Sequence, residues 1–353
     1  MNNMTLETVR LSEDKTALEI LDQTLLPNEI RVLRLTKMED IREAIYTLRV
    51  RGAPAIGVCA AYAMALAGTQ IKSNDFNVFL AQFRRIRDYL ASSRPTAVNL
   101  FWALDRMERV LTDAPEKDVP ALRERLFAEA DAIRAQDVET CRAIGRIGFS
   151  LLHHGDGILT HCNAGRLATT GYGTATAPIY TALEQGWDDL RVYCDETRPL
   201  LQGARLTAFE LSAAGADTML LCDNAASSLM ASGQVNIIFT GCDRVAANGD
   251  SANKIGTSGV AILARHYGIP FYICAPSSTI DMTLPDGKAI PIEQRPAEEV
   301  TEMWYRQRMA PEGVGVYNPA FDVTDHSLIT GIITERGLCS PPYDQAFQAL
   351  RFT

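Results

Sequence analysis

Hydrophobic and polar positions in the second half of the chain follow two alternating patterns. Short apolar runs bounded by glycine or polar residues recur, and stretches with helical spacing lie between them. Such runs are typical of buried parallel strands, and strands that alternate with helices form a mostly parallel sheet. The predicted strands lie near residues 158–162, 190–195, 217–222, 236–242 and 270–275.

The N-terminal part has a different pattern. Residues 6–11, 17–25 and 29–35 are β-rich runs separated by turn residues. This arrangement predicts an antiparallel meander. Thr36 and Glu39 then have the spacing of a capping box, which predicts the start of a helix.

Helical spacing dominates the region that follows the meander. Residues 53–68 form the most apolar run, which is too short and too rich in alanine to span a bilayer and therefore predicts a buried helix. A long helical pattern from about Pro120 to Leu152 predicts a connector between two domains. We predict an α/β fold: an N-terminal α+β domain with antiparallel strands and helices at residues 1–116, followed by a Rossmann-like domain with a mostly parallel sheet at 117–353.

Composition and net charge limit the kinds of partner and metal site that the protein can have. The 353 residues carry a net charge of -9, which argues against a nucleic-acid-binding face. The eight cysteines include no C-x-x-C pair and suggest neither a zinc site nor a disulfide framework. Reduced thiols predict a cytoplasmic protein, and Met1–Lys15 lacks the apolar core of a signal peptide.

A thiol follows the first predicted strand of the second domain. Cys162 ends the apolar run that begins at Gly157, and ligands in open α/β sheets bind beyond the carboxyl ends of the strands. Residues 165–176 are rich in glycine and threonine, which favours a phosphate-binding loop. The alternative is a buried cysteine that packs as a small hydrophobe.

A carboxylate follows the fourth predicted strand. Asp243 comes after the run 236–242, so we expect it at the same edge of the sheet as Cys162. The alternative is a helix cap. His161 is adjacent to the cysteine, but neighbouring residues on a strand point to opposite faces. We therefore interpret His161 as a packed or hydrogen-bonded histidine.

Three segments have the features of anion-binding helix starts. Arg51 precedes Pro54, Arg94 precedes Pro95, and Asn253 and Lys254 precede a glycine and small polar residues. Backbone N–H groups and the helix dipole favour anions at such positions. Each arginine could equally be solvated beside a turn. We expect Arg51 and Arg94 to hold a phosphate because the acidic chain offers few other cationic sites.

A dinucleotide-binding motif is a further alternative. Gly171 and Gly173 form a partial G-x-G, and Asp195 lies at the end of the next predicted strand. The third glycine is missing, however, and threonines occupy the turn.

Six motifs taken together resemble the methylthioribose-1-phosphate isomerase family over nearly the whole chain. That family belongs to a superfamily with the α, β and δ regulatory subunits of translation initiation factor 2B and the ribose-1,5-bisphosphate isomerases. The motifs are RGAPAIG at 51–57, SRPTAVNL at 93–100, HCNAG at 161–165, ETRPLLQGARLT at 196–207, GCDR at 241–244 and NKIGT at 253–257. The segments NPAFDVT at 318–324 and IITE at 332–335 add to the resemblance.

The resemblance implies conversion of 5-methylthioribose 1-phosphate to 5-methylthioribulose 1-phosphate in methionine salvage, by a homodimer that needs no metal or organic cofactor. It implies that Cys162 and Asp243 are catalytic, with Asp243 as the proton donor. We expect burial to raise the pKa of Asp243 for this task. The implied substrate-binding residues are Arg51, Gly52, Ala53, Arg94, Gln202, Asn253 and Lys254. Arg166 has no assigned role.

Three functions remain open at this point. They are a sugar-phosphate isomerase, a non-catalytic regulatory subunit of the same superfamily, and a dinucleotide-dependent enzyme. The joint presence of Cys162 and Asp243 favours the isomerase, because a binding subunit needs no thiol and acid together. The substrate could instead be 5-deoxyribose 1-phosphate or ribose 1,5-bisphosphate, and we expect an apolar wall around the 5-substituent. Either proton transfer or a hydride shift could move the hydrogen between C2 and C1.

Overall fold

A computed structural model describes residues 7–95 and 97–350 of the chain. The described residues form two compact units. The first contains the chain up to Glu139 together with Arg166–Gly173, and the second contains Thr140–Gly165 and the chain from Thr174 onward. The domain boundary at residue 116 stays a prediction.

The first unit contains the expected meander and a set of helices. Strands β1, β2 and β3 pair antiparallel in sequence order, which confirms the meander, although Leu6 lies outside the described residues. The strands are β1 Val9–Leu11, β2 Leu18–Leu21 and β3 Val32–Leu35. The helices are α1 Met38–Tyr46, α2 Ala53–Gln70, α3 Phe76–Ala91 and α4 Val98–Thr112. Helix α5, Val119–Phe149, begins in this unit and continues into the second, which confirms the long helical pattern.

Helix α2 forms the centre of the first unit. It is long and apolar enough to cross a membrane, but 78% of it is buried inside the protein, as in a core helix. The prediction of a buried helix is therefore confirmed. Its alanines allow close packing against α4, since small side chains let helix backbones approach.

The capping box predicted at Thr36 and Glu39 is wrong. Helix α1 begins at Met38, and the residue before it, Lys37, provides no side-chain cap. Polar residues with the right spacing indicate a capping box only when the first of them is the cap residue.

The second unit is built on a seven-stranded sheet. Its order is β14-β13-β10-β7-β4-β5-β6, and β14 is antiparallel to β13 while the other pairs are parallel. Each predicted strand overlaps an observed one, so the α/β fold class is confirmed. The strands are β4 Gly157–Thr160, β5 Arg191–Asp195, β6 Asp217–Leu221, β7 Ile237–Thr240, β10 Phe271–Cys274, β13 Gly331–Thr334 and β14 Gly337–Cys339.

A second sheet of four strands was not predicted. Its order is β11-β8-β9-β12, with β8 and β11 parallel and the other pairs antiparallel. The strands are β8 Arg244–Ala246, β9 Ser251–Lys254, β11 Ile280–Asp281 and β12 Phe321–Thr324. This sheet matters for function because β8 and β9 directly follow the loop that carries Asp243.

Short helices connect the strands of the second unit. A π-helix, Gly203–Thr207, leads into α7, and α9 follows β9. The α-helices are α6 Ala177–Glu184, α7 Ala208–Ala213, α8 Ala226–Ala231, α9 Thr257–Tyr267, α10 Glu298–Thr301 and α11 Tyr343–Ala349. The central strands contribute fully buried side chains to the core, among them Leu159, Ile238, Ile273 and Ile332.

Candidate active site

The loops that carry Cys162 and Asp243 follow two neighbouring parallel strands. Strands β4 and β7 pair directly, with Ile158 opposite Ile237, and Cys162 and Asp243 lie just beyond their carboxyl ends. The two loops are in contact, because a Cβ added to Gly241 would lie 2.3 Å from Cβ of Ala164. Neighbouring strands are about 4.8 Å apart, so both loops lie at one edge of the sheet.

Cys162 adopts an unusual backbone conformation. Its φ of 67° lies in the left-handed region that favours glycine. Its backbone N–H donates to Oγ1 of Thr197 at 2.8 Å, and its carbonyl oxygen accepts from Oγ1 of Thr207 at 2.6 Å. Thr197 is itself left-handed, with a φ of 65°. Conformations of this kind persist only where surrounding contacts hold them, and they cluster at functional sites.

Asp243 is exposed, so the burial expected from the sequence is wrong. Its backbone N–H donates to the carbonyl oxygen of Ala252, which ties the start of β8 to β9. The neighbouring Cys242 is half-buried. Its thiol can donate to the carbonyl oxygen of Arg244 or of Ala252, and desolvation raises its pKa.

Asn253 and Lys254 lie on β9 and not at a helix start, because α9 begins only at Thr257. The predicted helix start is therefore confirmed at Gly256 and Thr257, but Asn253 and Lys254 lie on the strand before it. Asn253 is buried and donates from Nδ2 to Oγ1 of Thr257 at 3.0 Å. The ammonium of Lys254 lies 4.6 Å from the centre of the Phe321 ring on β12. Both residues are thus held by neighbours in the same sheet region as Asp243.

Gln202 directly precedes the π-helix and is 7% exposed. Its Oε1 has no hydrogen-bond partner among the residues that the structure describes. A buried oxygen without a partner is costly, and a bound hydroxyl group would satisfy it. The following Gly203 packs directly on β5, since an added Cβ would lie 1.6 Å from the carbonyl oxygen of Asp195.

The remaining candidates belong to the first unit. Gly52 immediately precedes α2, with Ala53 and Pro54 in its first turn, as predicted, and its φ is 88°. Arg51 and Arg94 are each partly exposed. Helix α4 begins at Val98, so Arg94 lies in the loop that leads into the predicted helix; Thr96 lies outside the described residues.

One family model matches most of the chain. It is described as the initiation factor 2 subunit family, and it matches residues 49–341. The chain belongs to this family.

Similar proteins in the family carry isomerase names. The chain is 61% identical over 345 residues to a methylthioribose-1-phosphate isomerase of Symbiobacterium thermophilum, covering 98% of this chain and 96% of that protein. It is 53% identical over 347 residues to a 5-deoxyribose 1-phosphate isomerase of Petrotoga mobilis, covering 98% of this chain and 99% of that protein.

Solved structures agree with the fold. The crystal structure of 5-methylthioribose 1-phosphate isomerase from Pyrococcus horikoshii has a TM-score of 0.93 and 44% identity, covering 99% of this chain and 97% of that one. The structure of translation initiation factor eIF-2B subunit delta from A. fulgidus has a TM-score of 0.89 and 39% identity, covering 98% of this chain and 100% of that one.

The position of Asp195 does not fit the alternative of a dinucleotide-binding motif. It is 0% exposed, and its Oδ2 lies 3.0 Å from Nδ1 of His161. A carboxylate that binds a ribose hydroxyl must be accessible to the cofactor. The partial G-x-G at Gly171 and Gly173 therefore lacks its acidic partner.

Among residues 7–95 and 97–350, two groups have the composition of metal ligands. The donor atoms of His161, Asp195 and Asp223 lie within 4.8 Å of one another, as do those of Asp250, Asp325 and His326. In the first group the oxygens of Asp223 accept the N–H groups of Thr197 and Arg198. In the second, Asp250 accepts the backbone N–H of His326. Both groups are organised by hydrogen bonds.

Sequence reasoning missed the network around His161. The prediction of a hydrogen-bonded histidine is confirmed, but its partners come from other strands and turns. The only signal in the sequence was a second polar residue, Asp195, at the end of the neighbouring strand.

Proposed function

We propose that the protein is an aldose-ketose isomerase that converts 5-methylthioribose 1-phosphate to 5-methylthioribulose 1-phosphate, a step of methionine salvage. The observation that supports this most is the contact between the loops after β4 and β7, which places a thiol and a carboxyl at one edge of the sheet. General acid and base groups must reach the same substrate. The names of the similar proteins support the sugar 1-phosphate as substrate class.

In the proposed reaction Asp243 donates a proton to the ring oxygen while the bond between that oxygen and C1 breaks. The thiolate of Cys162 then removes the proton from C2, which leaves an enol between C1 and C2. C1 gains a proton and the enol hydroxyl loses one, which gives the ketone at C2. A sugar that covers the exposed carboxyl would desolvate it and favour its protonated form.

A hydride shift is the alternative for the second step. Hydrogen would move from C2 to C1 with its electron pair while the C2 hydroxyl loses its proton. Turnover in D₂O distinguishes the two, because deuterium at C1 of the product supports Cys162 as the base.

We propose that the substrate-binding residues are those implied by the family resemblance. Arg51, Gly52, Ala53 and Arg94 would bind the phosphate, because guanidinium groups and free N–H groups at the start of α2 suit an anion. Gln202, Asn253 and Lys254 would bind the sugar hydroxyls. The unpartnered Oε1 of Gln202 supports its part in this assignment.

The test is an assay of three substrates with the purified protein. We expect the highest kcat/KM with 5-methylthioribose 1-phosphate, appreciable turnover of 5-deoxyribose 1-phosphate, and little with ribose 1,5-bisphosphate. Formation of the ketose is followed by NMR. A higher kcat/KM for the bisphosphate would reject the proposed substrate, and no turnover of any of the three would favour a non-catalytic regulatory subunit of the same superfamily.

We further propose a cytoplasmic homodimer that binds neither nucleic acid nor membrane. None of the eight cysteines is in a disulfide, and the net charge is -9. Strand β6 is an edge of the large sheet, and its Met219 and Leu220 are 43% and 49% exposed. An apolar sheet edge suits a second copy of the chain. Light scattering after size-exclusion chromatography should give twice the mass of 38.7 kDa.

A further inference from the structure

The ring of His161 bridges two segments of the candidate site. It is 1% exposed, with Nδ1 3.0 Å from Oδ2 of Asp195 and Nε2 2.8 Å from the carbonyl oxygen of Ile255. His161 immediately precedes Cys162, and Ile255 immediately follows Lys254. One side chain therefore connects the thiol loop to the end of the strand that carries two of the proposed binding residues.

The partners of His161 fix its protonation. A carbonyl oxygen can only accept a hydrogen bond, so Nε2 carries a proton, and the carboxylate of Asp195 favours a proton on Nδ1 as well. Burial opposes the charged ring, but the hydrogen bond and charge of Asp195 outweigh it, so the pKa of His161 is raised. Asp223, at 3.9 Å, and Asp322 also face the ring with negative charge and favour the cation.

The ring packs closely against the turn at Gly256. A Cβ added to Gly256 would lie 2.7 Å from its Cε1. The turn that contains Gly256 is held on its other side by Asp322, which accepts the backbone N–H groups of Gly256 and Ser258. On the side of the thiol, Thr197 donates to the carbonyl oxygen of Asp195 and accepts from the N–H of Cys162.

We infer that His161 is a positioning residue, which with Asp195 locks the Cys162 loop and the Asn253–Lys254 strand end in one geometry. This inference rests on the proposed function, because it concerns the placement of the proposed base relative to two proposed binding residues. His161 itself does not exchange protons with the substrate, since both of its nitrogens are engaged by the protein.

Two substitutions separate the two hydrogen bonds. His161→Asn places an amide N–H₂ near the position of Nδ1, which keeps a donor to Asp195 and loses the bond to Ile255. His161→Gln places the amide near the position of Nε2, which keeps the donor to Ile255 and leaves Asp195 without its cation.

We expect the Asn variant to raise KM at least about tenfold with little change in kcat, because it releases the strand end that binds substrate. We expect the Gln variant mainly to lower kcat, by at least about tenfold, because it releases the thiol loop.

Two controls complete the experiment. His326→Asn changes a second histidine that is hydrogen-bonded to a carboxylate, Asp250, at 2.8 Å, and it should change neither constant. Asp195→Asn keeps the shape, and a neutral His161 can accept from the new amide while still donating to Ile255. It should keep kcat and KM within about threefold of the parent, since a neutral pair can replace a buried ion pair.

Several outcomes would overturn the inference. If both His161 variants kept the parental kcat and KM and only unfolded at a lower temperature, His161 would contribute to stability and not to the geometry of the site. A loss of more than about tenfold in kcat/KM in Asp195→Asn would show that the charge of Asp195, and not the hydrogen-bond geometry, determines activity.

Amide hydrogen exchange tests the link even if the His161 variants are inactive. Exchange at residues 253–258 should be faster in His161→Asn than in the parent, and unchanged exchange there would contradict the link. A parent that isomerises no sugar phosphate would reject the proposed function, while the exchange measurement would still decide whether His161 holds this turn.

Discussion

Cys162 is held in a left-handed conformation that costs about 1–3 kcal/mol for a residue other than glycine. Two threonine hydroxyls offset this cost by binding its N–H and its carbonyl oxygen. A cysteine that only filled the core would need no such backbone, since an extended strand would bury it equally well. The conformation instead turns the chain away from β4 directly after the thiol, which suits a side chain that must face a ligand.

Substitution of Cys162 and Asp243 tests whether they act as one catalytic unit. Cys162→Ser and Asp243→Asn should each lower kcat by on the order of 10²-fold or more, because each removes a proton-transfer group while keeping its shape. The double variant should be little worse than either single variant, since the two groups serve one reaction. Steady-state kinetics with the methylthio sugar measures all three.

The neighbouring Cys242 provides the matched control. Its Sγ lies 3.0 Å and 3.2 Å from two backbone carbonyl oxygens, and a serine hydroxyl can donate to either of them. Cys242→Ser should therefore keep parental turnover. Near-parental kcat in Cys162→Ser, or an equal loss in Cys242→Ser, would contradict the assignment of Cys162.

At the residue scale the sequence placed the candidates in the right loops but not in the right surroundings. Cys162 and Asp243 could be located because each follows an apolar run that becomes a strand. The exposure of Asp243 and the partners of His161 could not be predicted, because they depend on tertiary packing; Ile255, for example, lies 94 residues from His161. Burial and hydrogen bonding at a loop are tertiary properties that a local pattern does not contain.

The π-helix after Gln202 packs unusually closely on the end of β5. An added Cβ on Gly203 would lie only 1.6 Å from the carbonyl oxygen of Asp195 and 2.9 Å from Oγ1 of Thr197. The same Thr197 binds the backbone of Cys162, and Thr207 at the other end of the π-helix binds it too. The position of this short helix therefore determines the position of the thiol loop.

Gly203→Ala should destabilise the protein by about 1–3 kcal/mol or more, because the extra methyl group forces the helix away from β5. It should also lower turnover more than an equally destabilising change elsewhere. Gly259→Ala is the matched control, since Gly259 lies in α9 with nothing within 4 Å of an added Cβ. That variant should be stabilised by about 0.5–1 kcal/mol, as alanine is the better helix former. Chemical denaturation measures the free energy of unfolding of both variants. Equal changes in the two would refute the close-packing argument.

Long apolar elements were predictable and short ones were not. The central strands β4, β7 and β10 are largely buried on both faces, so each left a recognisable apolar run. Strands β8 and β11 have only three and two residues, too few to show an alternating pattern. Strand β9, which carries Asn253 and Lys254, was also missed, although the helix start that follows it was predicted.

At the scale of the whole molecule, the sheet order explains why distant motifs meet. Strand β7 pairs with β4 although β5 and β6 lie between them in sequence. The central position of β4 and β7 places the HCNAG and GCDR motifs side by side. The alternation of strands and helices predicts a parallel sheet, but it does not specify this order, which depends on how the helices cover both faces.

One carboxylate, Asp250, ties the turn between β8 and β9 to several neighbouring segments. It accepts from the side chain of Asn248, the N–H of Gly287, and both the N–H and Nδ1 of His326. Burial alone would raise its pKa, but these donors outweigh burial and lower it to about 2. Because the unfolded chain has an Asp pKa of about 3.9, this carboxylate stabilises the fold above pH 4.

Asp250→Asn should therefore lower stability at pH 7 by about 1–3 kcal/mol, because the amide turns a donor toward groups that are themselves donors. The stabilisation by Asp250 is lost as the pH falls from about 4 to about 2, so the difference between parent and variant should shrink over that range. Thermal unfolding at pH 7, 4 and 3 measures this difference in stability. Asp344→Asn, at an exposed position in α11, is the control and should change stability by less than about 0.5 kcal/mol. A difference between parent and Asp250→Asn that stayed constant from pH 7 to pH 3 would show that shape at this position, and not the ionised carboxylate, stabilises the second sheet.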